Sequence, residues 1–187
     1  MALPRPQENE RYTYADYCKW DDSARWEIID GIPYAMAPAP SQDHQQMCGG
    51  IYVQLYSYLK GKPCDVFIAP SDVRLAAGGE DDTVVQPDLF VVCDKSKLDG
   101  QNCNGPPDLV IEILSPSTSK HDRVVKFGLY LRYGVKEYWI ADPDTKTLQV
   151  CILKDGEYIT RMYGDEATAP VSVLPGCEIK LSEIFAE

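Results

Sequence analysis

A chain of 187 residues that is 44% hydrophobic and 25% charged has the size and composition of one globular domain, 1–187, with a sizeable core. Its formal net charge of -11 excludes a globally basic surface built to grip phosphates, so any nucleic-acid contact must find its positive charge locally. The seven cysteines, Cys18, Cys48, Cys64, Cys93, Cys103, Cys151 and Cys177, are odd in number, scattered and never spaced as CxxC, which argues against a disulfide framework and a zinc knuckle and predicts free thiols.

The opening "MALPRPQENERYTY" carries charges and prolines where a secretory signal needs an apolar core. No later run is long enough to span a bilayer, so a cytoplasmic protein without a membrane partner is expected. Thr13 can cap a short helix through Trp20. In "RWEIIDGIPYAM" the pair Asp30-Gly31 sits between two β-rich runs, a strong hairpin signal because both turn residues must tolerate positive φ. Glu27 lies in the first of those strands. Ser41 is a good N-cap for a helix reaching Leu59, with Gly61 beyond its end. Cys48, Ile51, Leu55 and Tyr58 recur on it at helical spacing, and His44 shares their face.

The segment "DVFIAPSDVRLAAGGEDDTVVQPDLFVVC" reads as strands around an acidic turn, Gly78 to Asp82, and delivers Asp88 to the start of an apolar strand. In "DLVIEILS", Leu109, Ile111 and Ile113 alternate with Val110, Glu112 and Leu114, so both faces look buried, as in a central strand covered by helices. Ser117 or Thr118 can cap the next helix, which runs to about Tyr133 and stops at Gly134. "EYWIAD" resumes as a strand. Strand, helix and strand in that order make a right-handed crossover with parallel pairing, and the sheet should be mixed. "TLQVCILKDGEYITRMYG" turns as a hairpin at Asp155-Gly156, and "LPGCEIKLSEIF" adds a short strand and a turn of helix.

Glu112 carries the chemistry, because a carboxylate in an apolar strand is costly unless it meets a cation, a metal or strong donors, or keeps its proton. It could pair with a nearby Lys or Arg and do nothing else. Alternatively Glu112 and Asp88, at the ends of neighbouring strands, could hold a hard divalent ion such as magnesium. A glycosidase-type acid/base pair would need an aromatic-lined sugar cleft that nothing here specifies. GxSxG, GxxxxGK[ST], GxGxxG and HExxH are all missing, and only His44 and His121 are available for a histidine-rich metal site. Lys126 follows Asp122 by four residues, the spacing of an ordinary surface ion pair. Between Ser117 and Lys136, Lys120, Arg123, Lys126, Arg132 and Lys136, with His121, face the single acid Asp122 before Lys136. Alone, that window reads as a solvated helix face. Asp108 reads as a strand-opening acid, His44 as a core histidine, and Tyr138 and Trp139 as packing aromatics.

"PDLF", "PDLVIEILSPST", "DRVVKFGLYLRYGVKEYWIADP" and "WEIIDG" together resemble the Uma-type family of proposed restriction endonucleases, a branch of the PD-(D/E)XK nuclease-like superfamily, over nearly the whole chain. The resemblance implies an α/β, restriction-endonuclease-like fold, a mixed β-sheet with flanking helices and added β-hairpins. It also implies that Asp88 and Glu112 are acidic ligands for magnesium or manganese, that Glu27 joins the site, and that the substrate is DNA. Restriction-type nucleases commonly dimerise to cut both strands, so a homodimer is expected by resemblance. One position departs from the superfamily pattern: Leu114 stands where a lysine is expected, two residues after the strand carboxylate. Lys126 is the natural substitute, provided the following helix packs over the strand ends. The alternative is a module that has lost catalysis and binds nucleic acid or a protein partner.

Overall fold

The computed structural model describes residues 10–20, 24–36, 41–76, 79–116 and 118–185. Its strands begin with β1 (Trp26–Ile29), β2 (Ile32–Ala35), β3 (Asp65–Ile68), β4 (Val73–Arg74), β5 (Val84–Val85), β6 (Leu89–Val92) and β7 (Cys103–Asn104). They continue with β8 (Leu109–Ile113), β9 (Glu137–Asp142), β10 (Thr147–Lys154), β11 (Glu157–Gly164), β12 (Thr168–Pro170) and β13 (Glu178–Lys180). The α-helices are α1 (Tyr14–Tyr17), α2 (Gln42–Leu59) and α3 (Phe127–Arg132).

The central sheet runs β11-β10-β9-β8-β6-β3. Only β8 and β9 pair in parallel within it, joined through α3 as the strand-helix-strand pattern predicts. Every residue of β8 is buried. Leu109, Ile111 and Ile113 pack beneath α2 with Met47, Ile51 and Leu55 and with the C-terminal Ile179. Val110 and Leu114 belong to the opposite face, with Phe90, Leu129, Tyr130 and Tyr138. That face is covered by α3 and by a second sheet, β2-β1-β5-β4-β7, whose Val73 and Val85 complete the same cluster. The helices thus share the covering of β8 with a sheet. Its two-residue strands β4, β5 and β7 are paired by contacts distant in sequence.

Local chemistry explains the elements that carry the site. Asp30 (φ 52°) and Gly31 (φ 77°) turn β1 into β2, and Asp155 (φ 52°) and Gly156 (φ 86°) turn β10 into β11, the positive-φ pair that a two-residue hairpin needs. Ser41 caps α2 by accepting the His44 N–H at 3.2 Å. The Thr13-capped helix ends at Tyr17, short of Trp20. Ser117 and Gly78 lie outside the described residues. The chain enters its second long helical segment through Ser115 and Thr118: Ser115 N–H donates to Thr118 Oγ1 at 3.2 Å, and Ser119 N–H donates to the Ser115 carbonyl. A π-helical stretch, His121–Lys126, precedes α3, and Phe127 N–H donates to the Asp122 carbonyl, five residues back. Such wide turns recur at functional sites, and this one carries two buried charges, Asp122 and Lys126.

The expectation of free thiols is corrected at one pair. Cys64 and Cys93 form a disulfide. The β3–β6 register, Asp65↔Val92, sets them opposite each other one step beyond the ladder, a juxtaposition that a separation of 29 residues conceals. Cys18, Cys48, Cys103, Cys151 and Cys177 are free.

Glu137 braces the C-terminal segment against the central sheet. It is fully buried, accepts the Trp139 indole N–H at 2.8 Å and the Val173 N–H at 2.9 Å, and is pushed up in pKa by burial. Glu137→Ala strands both donors at roughly 1–3 kcal/mol each, so a melting temperature lower by on the order of 10 °C is expected in thermal unfolding. A variant melting within 2 °C of wild type would show, on roughly that scale, that water replaces the carboxylate at no cost.

Candidate active site

The β6–β8 register pairs Leu89 with Ile111, so one step outward Asp88 stands opposite Glu112. Directly opposed residues of antiparallel strands project to the same side, and both carboxylates line one cavity of about 530 Å³. Glu112 is 3% exposed and Lys126 4%. The Lys126 ammonium lies 2.9 Å from Glu112 Oε1, 3.0 Å from Glu27 Oε1 and 3.8 Å from Asp122 Oδ1. Tyr130 Oη donates to the same Glu112 oxygen at 2.8 Å. Asp122, Lys126 and Tyr130 recur every four residues, so one helical stripe brings them down onto β8. Glu27 approaches from β1 in the covering sheet, where the Gln86 N–H also donates to it at 2.9 Å. The ammonium beside Glu112 thus comes from the following helix, and Leu114 packs in the core.

Three buried carboxyls share this one ammonium. Burial would raise the pKa of Glu27, yet Lys126, His121 and the Gln86 N–H outweigh it and hold Glu27 at about 2. Glu112 is pushed well above the ordinary carboxylate range by burial, which Lys126 only partly offsets while Asp122, Asp88 and Glu27 add to it. Burial also raises Asp122. Desolvation would lower Lys126, but Glu112, Glu27 and Asp122 reverse its direction and keep it protonated. A lysine held this way is a fixed positive charge and not a general base.

Asp88 is oriented separately. His44 Nε2 lies 3.2 Å from Asp88 Oδ2, and the Ile113 N–H donates to that same oxygen at 2.8 Å. Among the described residues, the donors to Asp88 all fall on Oδ2 and those to Glu112 on Oε1, leaving Oδ1 and Oε2 without protein partners. Among those residues no three His, Cys, Asp or Glu side chains gather as a metal-binding cluster. Two carboxylate oxygens beside a cavity nevertheless suit magnesium, which keeps several waters and takes one or two protein carboxylates. A further cation there would also balance the acids that Lys126 alone does not.

The sequence assigned His44 to the core; it is indeed buried, but it also lines the cavity and holds Asp88. His121, Asp122 and Tyr130 also reach the site, His121 with its ring 5.1 Å from that of Tyr34 and Nε2 at 3.7 Å from Glu27 Oε2. Only the four-residue spacing of Asp122 and Lys126 was visible beforehand; Tyr130, four residues further on, continues that spacing. Asp108 serves structure, accepting the Cys93 N–H at 2.8 Å and Lys136 at 2.6 Å. Tyr138 and Trp139 are fully buried packing residues.

The basic window is largely neutralised within the molecule. Arg123 pairs with Asp142, Lys126 with the site carboxylates, Arg132 with Asp30 and Lys136 with Asp108. Among the described residues Lys120 alone of its five lysines and arginines has no carboxylate partner.

Comparisons with known proteins bear on the family and the fold. The model of the Uma2 family, described as "Putative restriction endonuclease", matches residues 13–182. The uncharacterized protein slr1290 of Synechocystis sp. is 32% identical over 117 residues, which are 62% of this chain and 60% of that protein's length. A crystal structure of a "putative nuclease belonging to DUF820" from Anabaena variabilis superposes with a TM-score of 0.75 at 20% identity, covering 94% of this chain and 98% of that one. That likeness establishes the fold, and the family match, extending across β1 to β13, establishes membership: the chain belongs to the Uma2 family of restriction-endonuclease-like proteins.

Proposed function

We propose that this protein is a metal-dependent endonuclease that hydrolyses DNA phosphodiester bonds, with Asp88 and Glu112 holding magnesium or manganese. The observation that carries the reading is the shared ammonium: Lys126 sits within 3.0 Å of both Glu27 and Glu112 at the wall of an open cavity. A purely structural ion pair needs one acid for one base, whereas this cluster keeps a surplus of carboxylate that a divalent ion would balance.

When bound, the ion supplies Lewis-acid polarisation of the phosphodiester and activation of water. Asp88 and Glu112 would hold it through Oδ1 and Oε2, the oxygens their protein donors leave open. His44 and the Ile113 N–H fix Asp88, and Tyr130 fixes Glu112, so neither carboxylate needs to reorganise. The ammonium of Lys126 orients the attacking water or meets the negative charge that develops on phosphorus oxygens. Glu27 anchors that ammonium from the opposite sheet.

Purified protein with magnesium or manganese is expected to nick or linearise supercoiled plasmid, and a chelator is expected to stop it. Isothermal titration with manganese should show binding that Asp88→Asn weakens by at least roughly tenfold, the lower end for disturbing a metal site. DNA that stays intact while manganese binds would leave the noncatalytic binding module as the reading.

A further inference from the structure

Resting on the endonuclease reading, we infer that Arg25 is a substrate-binding residue, a guanidinium set in advance at the wall of the acidic cavity to take a phosphate of the DNA backbone. The basic window that the sequence offered for phosphate contact is mostly occupied by internal carboxylates, so the positive charge for substrate must come from elsewhere. Arg25 differs from those residues in what holds it. Its Nε and Nη2 donate to a neutral amide oxygen, Gln86 Oε1, at 2.8 and 2.6 Å. Among the described residues no carboxylate lies in ion-pair reach of it. Among the described residues Nη1 and the second Nη2 hydrogen have no partner and are left for a ligand, and a planar fork of that kind matches phosphate oxygens.

The mount is rigid. Gln86 Nε2 donates to Asp72 Oδ1 at 2.8 Å and to Tyr17 Oη at 2.9 Å, which fixes which end of the amide faces Arg25. Gln86 itself is 7% exposed. The same residue donates its backbone N–H to Glu27, so one buried side chain and its main chain tie Arg25 to the carboxylate cluster. Position follows from the strand: the Met36 N–H donates to the Arg25 carbonyl, extending the β1–β2 ladder one step, and residues two apart in a strand share a face. Arg25 and Glu27 accordingly line the same cavity.

The electrostatic setting gives this cation a task. Glu27, Asp43, Asp88, Glu112, Asp122 and Asp144 line the cavity against Lys126 and Arg25. Lys126 is taken up by three of those acids, whereas Arg25, among the described residues, keeps donors to spare. An arginine needed only for the fold would close on one of these carboxylates; one held by an amide keeps its full charge for an incoming anion.

The test is binding of a 20-base-pair duplex in calcium, without turnover, across a salt series, alongside plasmid cleavage in magnesium. Arg25 is exposed and Gln86 keeps its bonds to Asp72 and Tyr17, so Arg25→Gln should melt within a few degrees of wild type. It is expected to weaken duplex binding about fivefold to tenfold and to reduce the slope of log affinity against log salt by about one, the mark of one lost phosphate contact. The Michaelis constant should rise with it while kcat stays within about threefold. Arg25→Lys, with the charge but without the fork, should fall between the two. If wild type cleaves DNA and Arg25→Gln binds with the same affinity and salt slope, this inference is overturned and the endonuclease reading stands. If wild type neither binds nor cleaves, both are overturned.

Discussion

Glu112→Gln and Asp88→Asn are each expected to remove metal-dependent cleavage of supercoiled plasmid, by at least roughly a hundredfold in rate. A divalent ion supplies several kcal/mol of charge stabilisation to phosphoryl transfer, and each 1.36 kcal/mol is about a factor of ten. Both replacements keep side-chain size, so the loss should come without unfolding. Glu112→Gln still offers an amide oxygen to Tyr130 and Lys126, and it lightens a cluster in which three carboxyls share one ammonium. Asp88→Asn still offers an oxygen to the Ile113 N–H. Thermal melts should therefore stay within a few degrees of wild type while gel assays of nicked and linear products fall to background. Equal traces of cleavage from wild type and Glu112→Gln, prepared side by side, would identify a contaminating nuclease and sink the enzymatic reading.

What could be read in the sequence was what short-range chemistry decides. The Asp30-Gly31 and Asp155-Gly156 turns follow from backbone positions that few residues accept, and the Ser41 cap from an orphaned N–H three residues on. Glu112 was conspicuous because a polar residue interrupts an apolar strand, and its pairing with Asp88 followed from strand adjacency. Concealed were the features that depend on which distant strands become neighbours. The β3–β6 register joins Cys64 to Cys93, and the covering sheet carries Glu27 to Lys126. Gln86 lies 61 residues from Arg25, and nothing local marks either residue as a pair. The basic window misled for the same reason. Charge in a sequence window counts residues, whereas free charge depends on partners such as Asp142, Asp30 and Asp108, which the fold brings from outside it.

Lys126→Met is expected to cost both rate and stability, and the stability loss should grow as pH rises. The replacement keeps the length of the stem but removes the cation that Glu27, Glu112 and Asp122 share. Taking one partner from a buried ion cluster costs roughly 3–5 kcal/mol when the remaining charges cannot be relieved. Protonation is the available relief. In wild type, Glu27 titrates at about 2 when folded against an ordinary value of 4.5, so it contributes stability that is fully present above pH 4.5 and lost as pH falls toward 2. Without Lys126, burial of Glu27 is opposed only by His121 and the Gln86 N–H, so its folded pKa moves up, and Glu112 and Asp122, already raised by burial, lose the cation that offsets it; ionising the cluster then costs stability. The variant is then least penalised in mild acid and loses stability as pH rises from 4.5 toward neutrality. Melting curves collected between pH 4 and pH 8 should show the gap between wild type and variant widening with pH. Rate should fall as well, by roughly a hundredfold or more, as when a preorganised charge-stabilising group is removed. A variant whose melting temperature runs parallel to wild type across that range would mean that Lys126 does not balance the buried acids. The charge surplus invoked for a divalent ion would then have no basis.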